Sequence, residues 1–264
     1  MRSLVFAFLA FLVGWNGFAA RSEPLPKELE GVGIEERLGA QVPLDTVFKD
    51  EEGRQVTLAA LVGQKPAILA LVYYRCPMLC GLVLQGLLEG LREVPATVGE
   101  SFNVITISID PLETPTLAKL KKQSYLAEYG RPGAASGWRF LTGEESNIRK
   151  VADSVGFYYK WNEERQEYAH GAGIFVLTPE GKLARTLYGV VYGGKTLQLA
   201  LSEAREGKGS VGEKIALYCF RYDAREGQYV LAATRLMRAT GLVTVVILGS
   251  WLLVSWRRGK WGAN

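Results

Sequence analysis

The sequence is poor in the side chains that carry most metal and acid–base chemistry: it has one histidine, His170, and three cysteines in 264 residues. Any reaction or ligand set that needs an imidazole must therefore use His170. Three cysteines are too few for a disulfide-stabilised scaffold and leave one odd thiol after any pairing. The net charge is only +4, and no long block of Lys or Arg occurs in the middle of the chain. Nucleic acid is therefore not an expected partner.

The N-terminal segment, residues 1–20, has the layout of a secretory signal peptide. An early cation, Arg2, is followed by an apolar run and then by small residues, with Gly17 and Ala19 at the −3 and −1 positions of a predicted cleavage site. An uncleaved N-terminal anchor is the alternative. We predict that a signal peptide exports the middle of the chain, beginning with an N-terminal extension at residues 21–41.

Near the other end, residues 239–256 carry no charge and have the length of a transmembrane helix, which needs about 20 apolar residues. Trp251 and Trp256 would lie at the interface, and the cations that begin at Arg257 would stop transfer. We therefore predict a C-terminal transmembrane helix, a cytosolic tail at residues 257–264, and a main domain on the extracytoplasmic (periplasmic) side of the cytoplasmic membrane. A buried core helix is the alternative, but the run shows no amphipathic pattern.

Between these ends, residues 42–205 alternate between strand and helix patterns, as α/β domains do. The apolar run 66–74 predicts a central strand covered on both faces, and the leucine spacing of 79–94 predicts a helix directly after it. The other predicted elements are a hairpin (42–48 and 54–58), strands 103–110, 139–141, 172–178 and 183–188, and helices 114–129, 144–155 and 196–205. This order predicts a thioredoxin-like domain with an insertion, followed by a linker segment at 206–238.

Cys76 and Cys80 lie where the predicted central strand gives way to a helix. A helix N-terminus stabilises thiolates, which lowers the pKa of a thiol, and a spacing of four places both sulfurs on one helical face. Two thiolates suit Cu(I), and an added imidazole would accommodate Cu(II). His170, predicted in a loop before strand 172–178, is the candidate third ligand. The spacing alone is also compatible with a structural disulfide or inert thiols, and a lone histidine with a surface or capping residue.

Three segments together resemble the Sco/SenC family of copper chaperones for cytochrome c oxidase. They are YYRCPMLC (73–80), SIDPLETP (108–115) and HGAGIFVLTPEG (170–181), in the family's order and spacing. The resemblance implies a thioredoxin fold in which Cys76, Cys80 and His170 bind one copper ion. It also implies a role in delivering copper to the binuclear copper centre of the oxidase, or in keeping the cysteines of that centre reduced.

Two positions depart from the family's pattern. An acidic residue usually lies between the cysteines, where this chain has Met78, and an Asp usually precedes the histidine, where this chain has Ala169. The loss of both carboxylates makes the site less anionic, so we expect a preference for Cu(I) or a shift toward thiol–disulfide chemistry. We expect Met78 to be a packing residue rather than a thioether ligand, and we expect Asp110 to form a turn. Cys219, outside the predicted domain, is either a buried thiol or an exchange partner.

Two classes of function follow. The first is a membrane-tethered copper-binding assembly factor that hands its ion, by exchange of thiolate ligands, to an oxidase copper-centre subunit or to another copper or thiol protein. The second is an enzyme, a thiol–disulfide oxidoreductase in which one of Cys76 and Cys80 attacks a disulfide and the other resolves the mixed disulfide. Peroxide reduction on the same scaffold is disfavoured because no Thr and Arg motif for polarising peroxide is evident. We favour the assembly factor. His170 discriminates between the two functions, because a copper site needs its imidazole whereas dithiol exchange does not.

Overall fold

The computed structural model describes residues 31–76, 79–206, 220–223 and 228–231, together with 241, 244 and 248. The predicted signal peptide and cytosolic tail lie outside the described residues, as do Met78, Cys219 and nearly all of the predicted transmembrane segment. In the part of the chain that the structure describes, no helix is both long enough and apolar enough to cross a membrane.

The described residues form a mixed α/β fold. The strands are β1 (Gly33–Ile34), β2 (Val47–Lys49), β3 (Gln55–Thr57), β4 (Ala67–Val72), β5 (Asn103–Ser108), β6 (Trp138–Leu141), β7 (Phe157–Asn162), β8 (Glu167–His170), β9 (Gly173–Leu177), β10 (Leu183–Tyr188), β11 (Phe220–Asp223) and β12 (Gln228–Leu231). The helices are α1 (Leu58–Val62), α2 (Leu79–Glu93), α3 (Pro115–Tyr129), α4 (Ala134–Gly137), α5 (Glu145–Ser154) and α6 (Gly194–Glu206).

A five-stranded sheet in the order β10–β9–β4–β5–β6 forms the centre of the domain. Strand β5 is parallel to both β4 and β6, whereas β9 is antiparallel to β4 and β10. Every residue of β4 is buried, as expected of an apolar strand with both faces covered. The prediction of a central strand followed directly by a helix is confirmed, and it fixes where the two cysteines lie.

Local sequence signals set several of the other elements. The predicted N-cap Thr114 accepts a hydrogen bond from the backbone N–H of Leu117, and Pro115 is the first helical residue of α3, as predicted. The predicted first hairpin is confirmed as β2 and β3, but its first strand begins at Val47 rather than at Val42. Its second strand ends earlier than predicted, because Thr57 caps α1 and Leu58 already belongs to that helix.

A second, small sheet in the order β1–β7–β8 was not predicted. Strand β1 lies in the segment predicted as an N-terminal extension, and it pairs Gly33 with Tyr158 of β7. The prediction that His170 lies in a loop is wrong: it is the last residue of β8, paired with Tyr159 of β7. The strands β11 and β12 form a separate antiparallel pair within the predicted linker.

Helix α2, which carries Cys80, packs against α6 and the segment before it. Two glycines allow this close approach. A Cβ atom at Gly86 would lie 1.8 Å from the carbonyl oxygen of Val190, and one at Gly90 would lie 1.9 Å from that of Tyr192. Because any side chain at these two positions would meet backbone, the position of α2 is closely defined.

The hairpin of β2 and β3 is attached to the domain by buried charges. Arg139 of β6 binds Asp50 at 2.8 Å and Glu51 at 3.0 Å, and Lys122 of α3 also pairs with Glu51. Burial alone would raise the pKa of the Asp50 carboxyl, but hydrogen bonds from the backbone N–H groups of Arg54 and Glu52 outweigh it and hold that pKa below its ordinary value. The ionised form of Asp50 therefore stabilises the fold.

Candidate metal centre

The structure brings Cys76, Cys80 and His170 together. One ligand atom from each, two Sγ atoms and one imidazole nitrogen, lie within 4.8 Å of one another. Cys76 lies in the connection after β4, Cys80 is the second residue of α2, and His170 ends β8. The site is therefore built from both sheets: the sulfurs come from the junction of the central strand and its helix, and the imidazole comes from the small sheet.

The orientation of the His170 ring follows from its two hydrogen bonds. Nδ1 lies 2.8 Å from the carbonyl oxygen of Gly171, which can only accept, so Nδ1 carries the proton. In the neutral ring this leaves Nε2 as the acceptor, and it lies 3.0 Å from Sγ of Cys80. A backbone carbonyl that fixes the tautomer is the usual support of a metal-binding histidine, and here it directs the Nε2 lone pair at the sulfurs.

Cys80 is buried, with 2% of its surface exposed. Burial raises the pKa of the Cys80 thiol well above its ordinary value, and its hydrogen bond with Cys76 adds to the rise. The lowered thiol pKa expected from the helix start is therefore wrong for Cys80, because desolvation outweighs the helix terminus. In the metal-free site Cys80 is a thiol, and its S–H can donate to Nε2 of His170.

Tyr73, directly after β4, contacts all three groups. Its backbone N–H donates to Sγ of Cys80 at 3.3 Å, and its phenol forms a hydrogen bond with Cys76. Its ring lies edge-on to the imidazole of His170, with centroids 6.1 Å apart. Sγ of Cys76 also accepts the N–H of Cys80 at 3.4 Å. The two sulfurs are therefore held by directed contacts.

Aromatic rings enclose the imidazole side of the site. The ring centroid of Phe157, in β7, lies 5.9 Å from that of His170, and the ring centroid of Tyr168 lies 5.5 Å from that of Tyr73. Trp161, which is partly exposed, contacts Tyr168 at 4.9 Å. An apolar shell of this kind limits the access of water to a metal ion and lowers the local dielectric.

Glu113 is a site residue that the sequence analysis missed. Its two carboxylate oxygens accept the backbone N–H groups of Tyr74 and Arg75, each at 2.7 Å, directly before Cys76. Asp110, by contrast, has the turn-forming role predicted for it: its side chain accepts the N–H of Leu112 at 2.9 Å. The only sequence signal for Glu113 is its place between the Asp-Pro turn and the N-cap of α3.

The donor set fits a soft metal ion. Two cysteine sulfurs and one imidazole are the ligand types that suit copper ions, with the thiolates selecting Cu(I). The ligand atoms are already close, and the histidine tautomer presents its free nitrogen to them. Binding requires the loss of the thiol protons, which metal ions displace.

Comparison with protein-family models identifies the family of the chain. The SCO1/SenC family model matches residues 37–196. The chain belongs to the SCO1/SenC family. Its mixed α/β fold is like that of the thioredoxin-like Sco proteins, and the resemblance seen in the three sequence segments is confirmed.

Solved structures of similar proteins include two from Aquifex aeolicus. A proposed electron transfer protein is 31% identical over 67% of this chain and 98% of its own, with a TM-score of 0.57. A proposed electron transport protein is 30% identical over 64% of this chain and 99% of its own, with a TM-score of 0.52. The copper-bound ScoI of Bradyrhizobium japonicum is 24% identical over 64% of this chain and 100% of its own, with a TM-score of 0.47. A comparison with curated proteins finds no match.

Proposed function

We propose that this SCO1/SenC protein binds one copper ion through Sγ of Cys76, Sγ of Cys80 and Nε2 of His170. We further propose that it assists maturation of the binuclear copper centre of cytochrome c oxidase, by copper delivery, by thiol reduction or by both. The observation that carries the proposal is the approach of Nε2 to within 3.0 Å of a cysteine sulfur. Family membership supports copper as the ion and the oxidase copper-centre subunit as the partner.

The unequal exposure of the two cysteines gives an order to copper transfer. Cys76 is only partly buried, whereas Cys80 lies under the site. A thiolate of the acceptor protein therefore reaches the ion on the side of Cys76 and displaces that sulfur first. Cys80 and His170 hold the ion until a second acceptor ligand is bound.

The ligand assignment is tested by titrating the full-length protein with Cu(II) and recording the thiolate-to-copper charge-transfer absorption. We expect His170→Ala to abolish Cu(II) binding while disulfide formation between Cys76 and Cys80 is retained. Cys219→Ser is the matched control, because Cys219 is not one of the three proposed ligands, and it should leave the spectrum unchanged. An unaltered spectrum in His170→Ala would remove the imidazole from the ligand set, and no absorption in the wild type would remove Cu(II) from the proposal.

We also propose that the chain is membrane-tethered, with a signal peptide at 1–20, an extension at 21–41, the copper domain at 42–205, a linker at 206–238, a transmembrane helix at 239–256 and a cytosolic tail at 257–264. The apolar composition of the two ends supports this arrangement. Truncation after Arg238 should move the protein from the membrane fraction to the soluble periplasmic fraction. Retention of the truncated chain in the membrane would contradict the C-terminal anchor.

A second candidate is thiol–disulfide oxidoreductase activity, and the same difference in exposure favours one order of steps. The accessible Cys76 would attack a partner disulfide, and the buried Cys80, whose N–H contacts Sγ of Cys76, would resolve the mixed disulfide. Reduction of a protein disulfide by the His170→Ala variant at the wild-type rate would support this function.

A further inference from the structure

The carboxylate of Glu113 is buried next to the copper site without a cation. Only 4% of the residue is exposed, and none of the ion pairs between described residues includes it. Three donors satisfy it: the N–H groups of Tyr74 and Arg75 at 2.7 Å and the hydroxyl of Ser108 at 2.6 Å. All three of these donors are neutral groups.

A buried carboxylate without a cation contributes little to the stability of a fold. A buried charge carries a large desolvation cost, and well-packed apolar residues often do as well or better in its place. The neighbouring buried carboxylates, Asp50 and Glu51, differ in that each is paired with Arg139. The position of Glu113 therefore points to a task at the site that it contacts.

The contacts of Glu113 define the backbone that leads into Cys76. Oε2 and Oε1 bind the successive N–H groups of Tyr74 and Arg75, and Oε2 also binds Ser108 at the end of β5. The N–H of Cys76 itself bonds to the carbonyl oxygen of Tyr73 at 3.3 Å. The carboxylate thus ties the connection after β4 to the neighbouring strand and fixes where the chain delivers Sγ of Cys76.

We propose that Glu113 is a positioning residue of the copper site and that its negative charge favours Cu(II) over Cu(I). Two thiolates and a neutral imidazole make a neutral complex with Cu(II) and a complex with one negative charge with Cu(I). A fixed anion close by disfavours the more negative complex. Glu113 thus opposes the Cu(I) preference expected from Met78 and Ala169. This inference rests on the copper-binding function proposed above.

The test is Glu113→Gln in the full-length protein, with Cu(I) and Cu(II) affinities measured by competition with chromophoric chelators. Loss of a supporting residue of this kind typically lowers metal affinity by about 10–100-fold, and we expect that loss for Cu(II) and a smaller one for Cu(I). Glu93→Gln is the matched control, because Glu93 also accepts a backbone N–H, that of Gly194, at the other end of α2. It should leave both affinities unchanged.

Affinities for both ions within a factor of about two of the wild type would overturn the proposal, and an equal loss for both would overturn its charge component. If Glu113→Gln does not fold, Ser108→Ala removes one hydrogen bond but keeps the charge. It should lower both affinities equally, and no change in either would count against positioning.

If the wild type binds no copper, the proposed function fails. The dithiol–disulfide equilibrium of Cys76 and Cys80 in glutathione buffers still tests positioning, since Glu113→Gln should shift it several-fold toward the dithiol.

Discussion

The central sheet and the elements around it are stabilised in different ways. Strand β4 is apolar and buried throughout, and it lies between β5 and β9. The small sheet of β1, β7 and β8 instead relies on aromatic rings and on contacts such as that of Arg149 over Tyr159 at 3.7 Å. The hairpin of β2 and β3 is attached by Asp50, Glu51 and Arg139.

The site joins these two kinds of structure. Cys76 and Cys80 are supported by the central strand and its helix, whereas His170 is supplied by the edge strand of the small sheet. The sulfurs therefore lie beside a fully buried strand, and the imidazole lies on an edge strand of the small sheet. Because an edge strand opens more readily than a buried one, we expect the histidine to be the more adjustable ligand.

Leu71→Ala, in β4, tests the apolar centre and should have the largest effect. The residue is 1% exposed, and truncation of a fully buried leucine leaves a cavity, so the free energy of unfolding should fall by about 2–5 kcal/mol. Urea denaturation measures the loss. Leu120→Ala, at a position 59% exposed, is the control and should change the free energy by about 0.5 kcal/mol or less. Equal losses would contradict the assignment of the core.

Asp50→Asn tests the charged attachment, and its effect should depend on pH. At neutral pH the loss of a buried acceptor should cost about 1–3 kcal/mol. The pKa of Asp50 is lowered by folding, so its stabilisation is complete above the ordinary pKa of about 3.9 and disappears as the pH falls through the lower pKa of the folded state. Denaturation at pH 7 and at low pH should therefore show the difference from wild type shrinking with acid, while that of Leu71→Ala stays constant. A difference for Asp50→Asn that does not change with pH would contradict this reasoning.

Hydrogen exchange tests the adjustable ligand and should show the smallest effect. Without metal, the amides of β8 should exchange faster than those of β4, because an edge strand opens more readily than a buried one. Copper that binds His170 should slow exchange in β8 by about tenfold and leave β4 unchanged. The His170→Ala variant should lose this protection, and equal protection of both strands by copper would argue against the comparison.

The central half of the site could be predicted from the sequence. The apolar run before Cys76 and the leucine spacing after it are local signals for a buried strand and a helix, and the structure has both. The cap at Thr114 and the turn at Asp110 are likewise encoded by neighbouring residues. Each of these elements is determined by residues that are close to one another in the sequence.

The peripheral half could not be predicted in the same way. Strands β7 and β8 are rich in tyrosine, and β7 pairs with Gly33 and Ile34, more than a hundred residues earlier in the chain. No local sequence pattern predicts a strand partner that is so distant in the chain. The burial of Glu113 is equally hidden, because carboxylates are almost always exposed. The raised pKa of the Cys80 thiol also depends on tertiary burial rather than on the helix start.

The hydrogen bond from Nδ1 of His170 to the carbonyl of Gly171 joins neighbours in the chain. Because the two residues are consecutive, this hydrogen bond can persist when the end of β8 moves. A displacement of this strand would carry the imidazole away from the sulfurs already in its binding tautomer, with no proton to relocate on return. If the proposed copper ion is bound, its release from and return to this nitrogen would then require a displacement of the strand but no proton transfer on the ring.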